Sequence, residues 1–161
     1  GVYPYMIEQI VGQLDTCIAI HKRVLVVRFD LHLREYSDDN HIISTFMTRQ
    51  KQRIKRTYKT KDIGHVWVRE LEKAKAQHYH CALYIDGDVI QHPGKLLQQI
   101  KVKWFKNGHT HLLDNCFYYI EKCNHEDERK EVIKRLSYLA KTRGKGYRNS
   151  QAKDYSTSRL K

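Results

Sequence analysis

The stretch from Gln77 to Gly87, QHYHCALYIDG, constrains the fold more than any other part of the sequence. Successive side chains of a β-strand point to opposite faces of the sheet, so this stretch predicts a strand with two different faces. One face is apolar enough to anchor the strand in a core and comprises Tyr79, Cys81, Leu83 and Ile85. The other face carries His78 and His80, two parallel imidazoles spaced to hold one cation. Two ordinary half-exposed histidines at a sheet edge are the alternative, and the neighbouring segments decide between the two interpretations.

The segment before this strand supplies a carboxylate. Residues 63–71, IGHVWVREL, have strand composition and place Glu70 on one face with Val66 and Val68. A polar connection joins the two segments, which predicts an antiparallel pair. If Glu70 lies opposite His78 or His80, the pairing register keeps all three side chains on the same face. Two imidazoles and a carboxylate suit Mn²⁺, Mg²⁺ or Zn²⁺ and do not select one of them.

A second His-x-His pair, His109 and His111, is an alternative metal site. It follows a predicted turn at residues 106–108 and has no acidic strand before it, which makes it the weaker candidate. It begins a predicted strand region over residues 109–121. Tyr118 and Tyr119 in that region are candidates for base stacking, although strand tyrosines more often pack in the core.

Hydrophobic periodicity predicts an amphipathic helix over residues 6–21. Three further helices are predicted: from Asp38 or Asn40 as the cap to about Tyr58, from Pro93 to about Phe105, and from Asp127 to about Thr142. Residues 24–34, VLVVRFDLHLR, alternate as a strand. Its polar face, with Arg28, Asp30 and His32, is expected to be accessible.

The charge of the chain indicates its partner. A net charge of +12 and a pI of about 9.6 favour a polyanion, and nucleic acid is the commonest one. The run from Arg49 to Lys61 holds only basic charges, which favours contact with phosphates. The residues expected to contact DNA are Arg28, Arg53, Lys55, Arg56, Lys59, Lys134, Arg143 and Lys145.

The 161 residues suit a single domain, with a basic, polar tail over about 143–161. No apolar run approaches the length of a membrane span, and no signal-peptide pattern opens the chain. The four cysteines show no CxxC spacing and are expected to be reduced thiols of a cytosolic protein.

A tyrosine in the last predicted helix is a candidate nucleophile. Tyr138 lies off the apolar stripe of that helix, whereas a packing tyrosine would lie on it. Lys141 is one helical turn away and would stabilise a phenolate. Attack by Tyr138 on a phosphodiester would form a phosphotyrosine that conserves the energy of the bond. If the stripe packs on the sheet, however, Tyr138 points away from the histidines, unless the helix crosses a sheet edge or packs against another helix.

Three motifs together resemble the HUH endonucleases in their replication-initiator (Rep) arrangement. They are VWVRE (Val66–Glu70), HYHCALYID (His78–Asp86) and RLSYLAK (Arg135–Lys141), in that order. Within that arrangement, the three motifs most resemble those of inovirus-type phage replication initiators and of the related YagK/YfjJ-like prophage proteins. Relaxases carry the tyrosine ahead of the histidines, so the order here argues against them.

The resemblance implies an α+β fold with a central antiparallel sheet flanked by helices, related to RNA-recognition and ferredoxin-like folds. It also implies metal-dependent nicking of single-stranded or locally melted DNA through a 5′-phosphotyrosine, as in rolling-circle replication of a phage or mobile element. His78, His80 and Glu70 would bind Mn²⁺ or Mg²⁺, Tyr138 would attack, and Lys141 would assist.

The absence of a second tyrosine one helical turn from Tyr138 favours a single-tyrosine enzyme, with Tyr147 as a further candidate. No helicase motif is present, so a host helicase or polymerase in the bacterial cytoplasm is an expected partner. Two alternatives remain open: a non-catalytic nucleic-acid-binding module with an RNA-recognition-like sheet, and a phosphoesterase that uses His109 and His111 with water.

Overall fold

A computed structural model describes residues 3–71, 77–123, 126–141 and 154–161. The helices in these ranges are α1 (Pro4–Ile20), α2 (His41–Tyr58), α3 (Gly94–Trp104) and α4 (Glu126–Ser137), and a 3₁₀ turn follows at Tyr138–Ala140. The strands are β1 (Arg23–Leu33), β2 (Gly64–Glu70), β3 (His78–Asp86), β4 (Gly108–His111), β5 (Phe117–Glu121) and β6 (Tyr155–Thr157). No helix in the described ranges is long and apolar enough to cross a membrane.

The strands form one six-stranded sheet in the order β4-β1-β3-β2-β6, and β5 also pairs with β1. Every pairing is antiparallel. The α+β class with a central antiparallel sheet and flanking helices is therefore confirmed.

Helices cover both faces of the sheet. Phe46 of α2 and Trp104 of α3 pack with alternate residues of β1, from Leu25 to Leu33, in one core. On the opposite face, α1 and α4 pack over Val24 and Val26 in a second core. The face of β1 that was expected to be accessible is thus apolar in the first half of the strand, where α1 and α4 cover it. The polar residues come only in the second half, where Arg28 and Asp30 are themselves buried, so the expectation of an accessible face was wrong for them.

The cap of α2 differs from the prediction. Asn40 occupies the cap position but makes no side-chain hydrogen bond to the helix. Its amide oxygen instead accepts hydrogen bonds from Arg69 and Tyr79. The neighbouring Asp39 carboxylate accepts one from the backbone N–H of His41 at 3.0 Å. Asn40 is therefore used to join α2 to the sheet, and Asp39 takes over the cap.

Two C-terminal regions also differ from prediction. The expected strand region over 109–121 is divided into β4 and β5, with Asn115 between them in the left-handed conformation at φ 54°. The tail expected over 143–161 contributes a strand, because β6 pairs with β2 and extends the sheet. Arg143, Lys145 and Tyr147 lie outside the described residues.

Candidate metal centre

Glu70, His78 and His80 come together as the sequence predicts. Glu70 lies directly opposite His78, and Val68 lies opposite His80, so the pairing of β2 with β3 keeps the three side chains on one face. One carboxylate oxygen of Glu70 is 3.0 Å from His80 Nε2, and the other is 3.8 Å from His78 Nε2. The three side chains are half-buried, where β2 ends and β3 begins, on the sheet face that α1 and α4 cover.

The donor set fits a divalent cation. One ligand atom from each of Glu70, His78 and His80 lies within 4.8 Å of the other two. Ligands about 2.1 Å from a common metal ion stand about 3 to 3.5 Å apart, so only small side-chain rotations would bring these atoms onto one ion. Within the described residues, this is the one group of at least three His, Cys, Asp or Glu side chains that could hold a metal ion.

Asp30 completes the centre and was not predicted as part of it. His80 Nδ1 lies 2.8 Å from Asp30 Oδ1, so the His80 ring stands between the Asp30 and Glu70 carboxylates. Burial alone would lower the pKa of His80, but hydrogen bonds to both carboxylates outweigh it and raise the pKa. A carboxylate that accepts from the distal nitrogen of a ligand histidine orients the ring and raises its basicity.

The charge of Asp30 is itself secured. Burial works against its ionisation, but the hydrogen bond from His80 and the positive charges of His80 and Arg28 lower the pKa of Asp30 to about 2. Asp30 is therefore ionised at neutral pH. The alternation of β1 places Asp30 on a polar face, but only the pairing of β1 with β3 sets it opposite His80.

The second His-x-His pair lies on the same face as the first. His32 of β1 stacks on His78 with ring centroids 4.9 Å apart and on His109 of β4 at 4.4 Å. Burial and the neighbouring His78 and His109 lower the pKa of His32 to about 4, so it is neutral at pH 7. His111 Nδ1 is 3.8 Å from Asp30 Oδ2. His109 and His111 thus extend a row of imidazoles from the centre to the β4 edge.

Arg28 is not available to DNA, which contradicts its prediction as a phosphate contact. Only 4% of its surface is exposed. Its Nη1 donates to the carbonyl oxygen of Cys81 at 2.6 Å, and its guanidinium lies 3.3 Å from Asp30 Oδ1. A buried cation needs such partners, and here they hold the carboxylate that orients His80.

The other basic residues stand apart from the centre. Lys55, Arg56 and Lys59 are exposed, and Arg53 is partly buried. They belong to α2 and its end, and α2 packs on the sheet face opposite the histidines. Lys134 is exposed on α4, which packs on the same face as the histidines.

Tyr138 is exposed to solvent, as its position off the apolar stripe predicts. It is 53% exposed, whereas Leu136 and Leu139 beside it are buried. The ammonium group of Lys141 lies 4.0 Å from the centroid of the Tyr138 ring, a cation–π contact. The predicted helix changes at this point, because α4 ends at Ser137 and Tyr138 begins the 3₁₀ turn.

The 3₁₀ turn belongs to the same side of the sheet as the histidines. The stripe of α4 packs against α1 and β5 and not over the histidines. The N–H of Tyr3 donates to the carbonyl oxygen of Ala140 at 2.8 Å, which joins the start of α1 to the turn. Tyr138 and Lys141 form a pair of their own, outside the cluster of Glu70, His78 and His80.

Contacts from the start of α1 extend toward β2 and β3, the strands that carry Glu70, His78 and His80. Helix α1 contacts β6, and burial together with the neighbouring Tyr5 hydroxyl raises the pKa of Tyr155. Tyr155 pairs with Val68, and Val68 pairs with His80. The contacts from Ala140 through the start of α1 to Tyr155 therefore end on β6, which is separated from the β3 strand of His80 by β2 alone.

A comparison with protein families identifies the chain. The model of the YagK/YfjJ C-terminal domain matches residues 1–154. No curated protein and no solved structure matches the chain. With that match over nearly all of its length, the chain belongs to the YagK/YfjJ C-terminal domain family.

Proposed function

We propose that this domain is an HUH-type, Rep-like endonuclease that nicks single-stranded or locally melted DNA and forms a 5′-phosphotyrosine. The observation that carries the proposal is the cluster of Glu70, His78 and His80, with His80 oriented by the ionised Asp30. A structural role alone does not require three potential ligands at one end of the sheet, supported by a buried carboxylate.

The proposed roles combine the positions of the side chains with the resemblance to Rep-type HUH endonucleases. Glu70, His78 and His80 would hold Mn²⁺ or Mg²⁺, and such a cation would withdraw charge from a bound phosphodiester. Tyr138 Oη attacks phosphorus as its proton passes to solvent, and the bond from phosphorus to the 3′-oxygen breaks. That oxygen takes up a proton from solvent and leaves as a 3′-hydroxyl. Lys141 stabilises the phenolate. Because the phosphotyrosine is a phosphodiester, the reverse reaction with a 3′-hydroxyl rejoins a strand.

The test is formation of a covalent adduct. Wild-type protein incubated with Mn²⁺ and single-stranded phage-origin or plasmid-origin DNA is expected to give a protein–DNA species on denaturing electrophoresis. Tyr138→Phe removes the nucleophilic oxygen, so it should form no adduct and still bind DNA.

Tyr36→Phe is the matched control. Tyr36 is exposed to a similar degree, 55%, and also has a cation over its ring, Arg69 at 5.7 Å. This variant should form the adduct as the wild type does. Normal adduct formation by Tyr138→Phe would show that the nucleophile is another residue.

The structure argues against the simpler alternative of an RNA-recognition-like binding module. Such modules stack bases on aromatic side chains of an open sheet face. Here helices cover both faces, and Tyr79 and Tyr84 of the central strand are fully buried. A binding module would show salt-sensitive DNA binding with no cleavage under any divalent ion, which the same incubation reveals.

The biological setting follows from the proposed reaction. Nicking with a retained 5′ end serves rolling-circle replication or mobilisation of a phage or mobile element in a bacterial cytoplasm. Strand separation would come from a host helicase, and extension of the 3′-hydroxyl from a host polymerase.

A further inference from the structure

A basic groove lies on the side of the sheet opposite the metal centre. It runs between α2 and the end of α3, with a volume of about 630 Å³. Arg49, Arg53 and Arg56 line it from α2, and Lys103 and Lys106 line it from the other wall. None of the lining residues in the described part of the chain is acidic.

The spacing of these cations matches a nucleic-acid backbone. Arg49, Arg53 and Arg56 follow one another at i, i+4 and i+7 on one face of α2, which spans about 10 Å of helix axis. Three nucleotides of one strand in B-form DNA rise by about the same length. Lysines on the facing wall add charge from the other side, so a backbone in the groove would meet cations on both flanks.

One of these arginines is held in place. Gln50 is buried and its side-chain oxygen accepts from Arg53 Nε at 3.0 Å and from Nη2 at 2.8 Å. A guanidinium carries five N–H donors, so this anchor leaves most of them for a ligand while it fixes the plane of the group. A fixed fork suits bidentate contact with a phosphate.

The groove ends at the sheet edge that leads to the metal centre. Lys106 and Asn107 at its end directly precede β4. Arg34 lies at the same corner, where its guanidinium donates to the carbonyl oxygens of Phe105 and Lys106. On the other face, β4 carries His109 in the imidazole row that reaches His78 through His32. A DNA strand that leaves the groove and crosses this edge of the sheet would therefore reach the imidazole row.

We infer that this groove binds the phosphate backbone of the nucleic-acid segment that flanks the one at the metal centre. The inference rests on the proposed function for its ligand class, and it adds a second contact region on the opposite side of the sheet. DNA would wrap around the β4 edge, with its sequence-independent affinity supplied largely by the groove.

The experiment compares two triple variants with the same change in net charge. The groove variant is Arg49→Gln, Lys103→Gln and Lys106→Gln. The control is Lys22→Gln, Lys95→Gln and Lys101→Gln, three exposed lysines that do not line the groove. Affinity for a labelled duplex with a single-stranded tail is measured by fluorescence anisotropy across a salt series in EDTA. A duplex and a single strand alone are titrated in parallel to show which part of the DNA the groove holds.

Each lost phosphate contact should reduce the slope of log affinity against log salt by about 0.9, so the groove variant should lose about two to three units of slope. The control should lose less than about one. Equal losses in the two variants, or a wild type with no salt-dependent binding, would overturn the inference. Because EDTA removes the contribution of a metal ion, this result is independent of adduct formation, and either proposal can fail while the other stands.

Discussion

Replacing Asp30 with Asn should weaken the binding of Mn²⁺. The buried carboxylate accepts from His80 Nδ1 at 2.8 Å, while His80 Nε2 faces Glu70. An amide in its place has no charge and can turn an N–H₂ group toward the ring, so His80 loses its orientation and part of its basicity. Loss of such a supporting group typically costs about 10- to 100-fold in metal affinity, or about 1.4 to 2.7 kcal/mol.

The neighbouring Arg28 places the expected effect near the upper end of that range. Its guanidinium lies 3.3 Å from Asp30 Oδ1, and both side chains are buried. Once Asp30 is neutral, the positive charge of Arg28 is no longer balanced close to the cation site. We therefore expect a loss of close to 100-fold at pH 8, measured by isothermal titration calorimetry with Mn²⁺.

The pH dependence separates this mechanism from simple damage. Two hydrogen bonds raise the pKa of His80, and the bound cation must displace the His80 proton. Wild-type affinity should thus fall as the pH falls below that raised pKa. Asp30→Asn removes one of the two hydrogen bonds and lowers the pKa of His80, so proton competition begins at a lower pH. The difference between the proteins should be largest at alkaline pH and shrink toward acid.

Asp86→Asn is the matched control. Asp86 lies on the same face of β3, beside His21 at 3.7 Å, at the far end of the strand from His78. It should bind Mn²⁺ as the wild type does. Circular dichroism and urea unfolding establish that both variants are folded. Wild-type affinity of a folded Asp30→Asn protein at pH 8 would refute the proposed role of Asp30.

Three further predictions concern stability. Burial and the neighbouring Lys51 ammonium lower the pKa of His65 to about 3 in the folded protein, from an ordinary value of about 6.5 in the unfolded chain. When the pH falls below about 6.5, His65 therefore takes up a proton in the unfolded chain but not in the folded protein. This difference should lower the free energy of unfolding by about 2 kcal/mol between pH 7.5 and pH 5. Urea unfolding at these two pH values measures the decrease, and His65→Gln should remove the part of it that His65 causes. Gly64→Ala should cost about 1 to 3 kcal/mol, because a Cβ there would lie 2.7 Å from Tyr84 Cδ2 and 2.8 Å from Cys17 Sγ. Gly12→Ala, with open space at its Cβ inside α1, should instead stabilise the protein by up to about 1 kcal/mol; if both variants shift the urea midpoint alike, the steric argument is wrong.

Local patterns predicted that Glu70, His78 and His80 come together because these residues are close in sequence. The alternation of β3 assigns His78 and His80 to one face, and the short connection to β2 leaves few registers for Glu70. The position of Tyr138 off its apolar stripe is likewise a property of one helix. Each of these inferences needs only the geometry of one element or of two adjacent ones.

Asp30 and Arg28 required information that local patterns do not carry. Strand β1 pairs with β3 across an intervening helix and strand, and periodicity does not reveal which strands become neighbours. Arg28 was expected to reach DNA because it lies on the face of β1 that alternation predicts to be polar and accessible. In the structure its guanidinium donates instead to a carbonyl oxygen on β3, which only the strand pairing places beside it. The strand β6 was missed for another reason. It has only three residues, which is too few to show the alternation that predicts a strand.

The second half of β1 is better explained by the proposed metal centre than by stability. Val24 and Val26 meet the apolar core of α1 and α4, and the same face then changes to Arg28 and Asp30 although both positions remain buried. A buried ion pair usually contributes no more stability than well-packed apolar residues of similar size. Among the described residues, Arg28 Nε has no hydrogen-bond partner, which adds a desolvation cost. A chain selected only to fold would gain by continuing the valine pattern. On the proposed function the charged pair is instead retained for its contact with His80, because Asp30 holds a negative charge beside a candidate metal ligand.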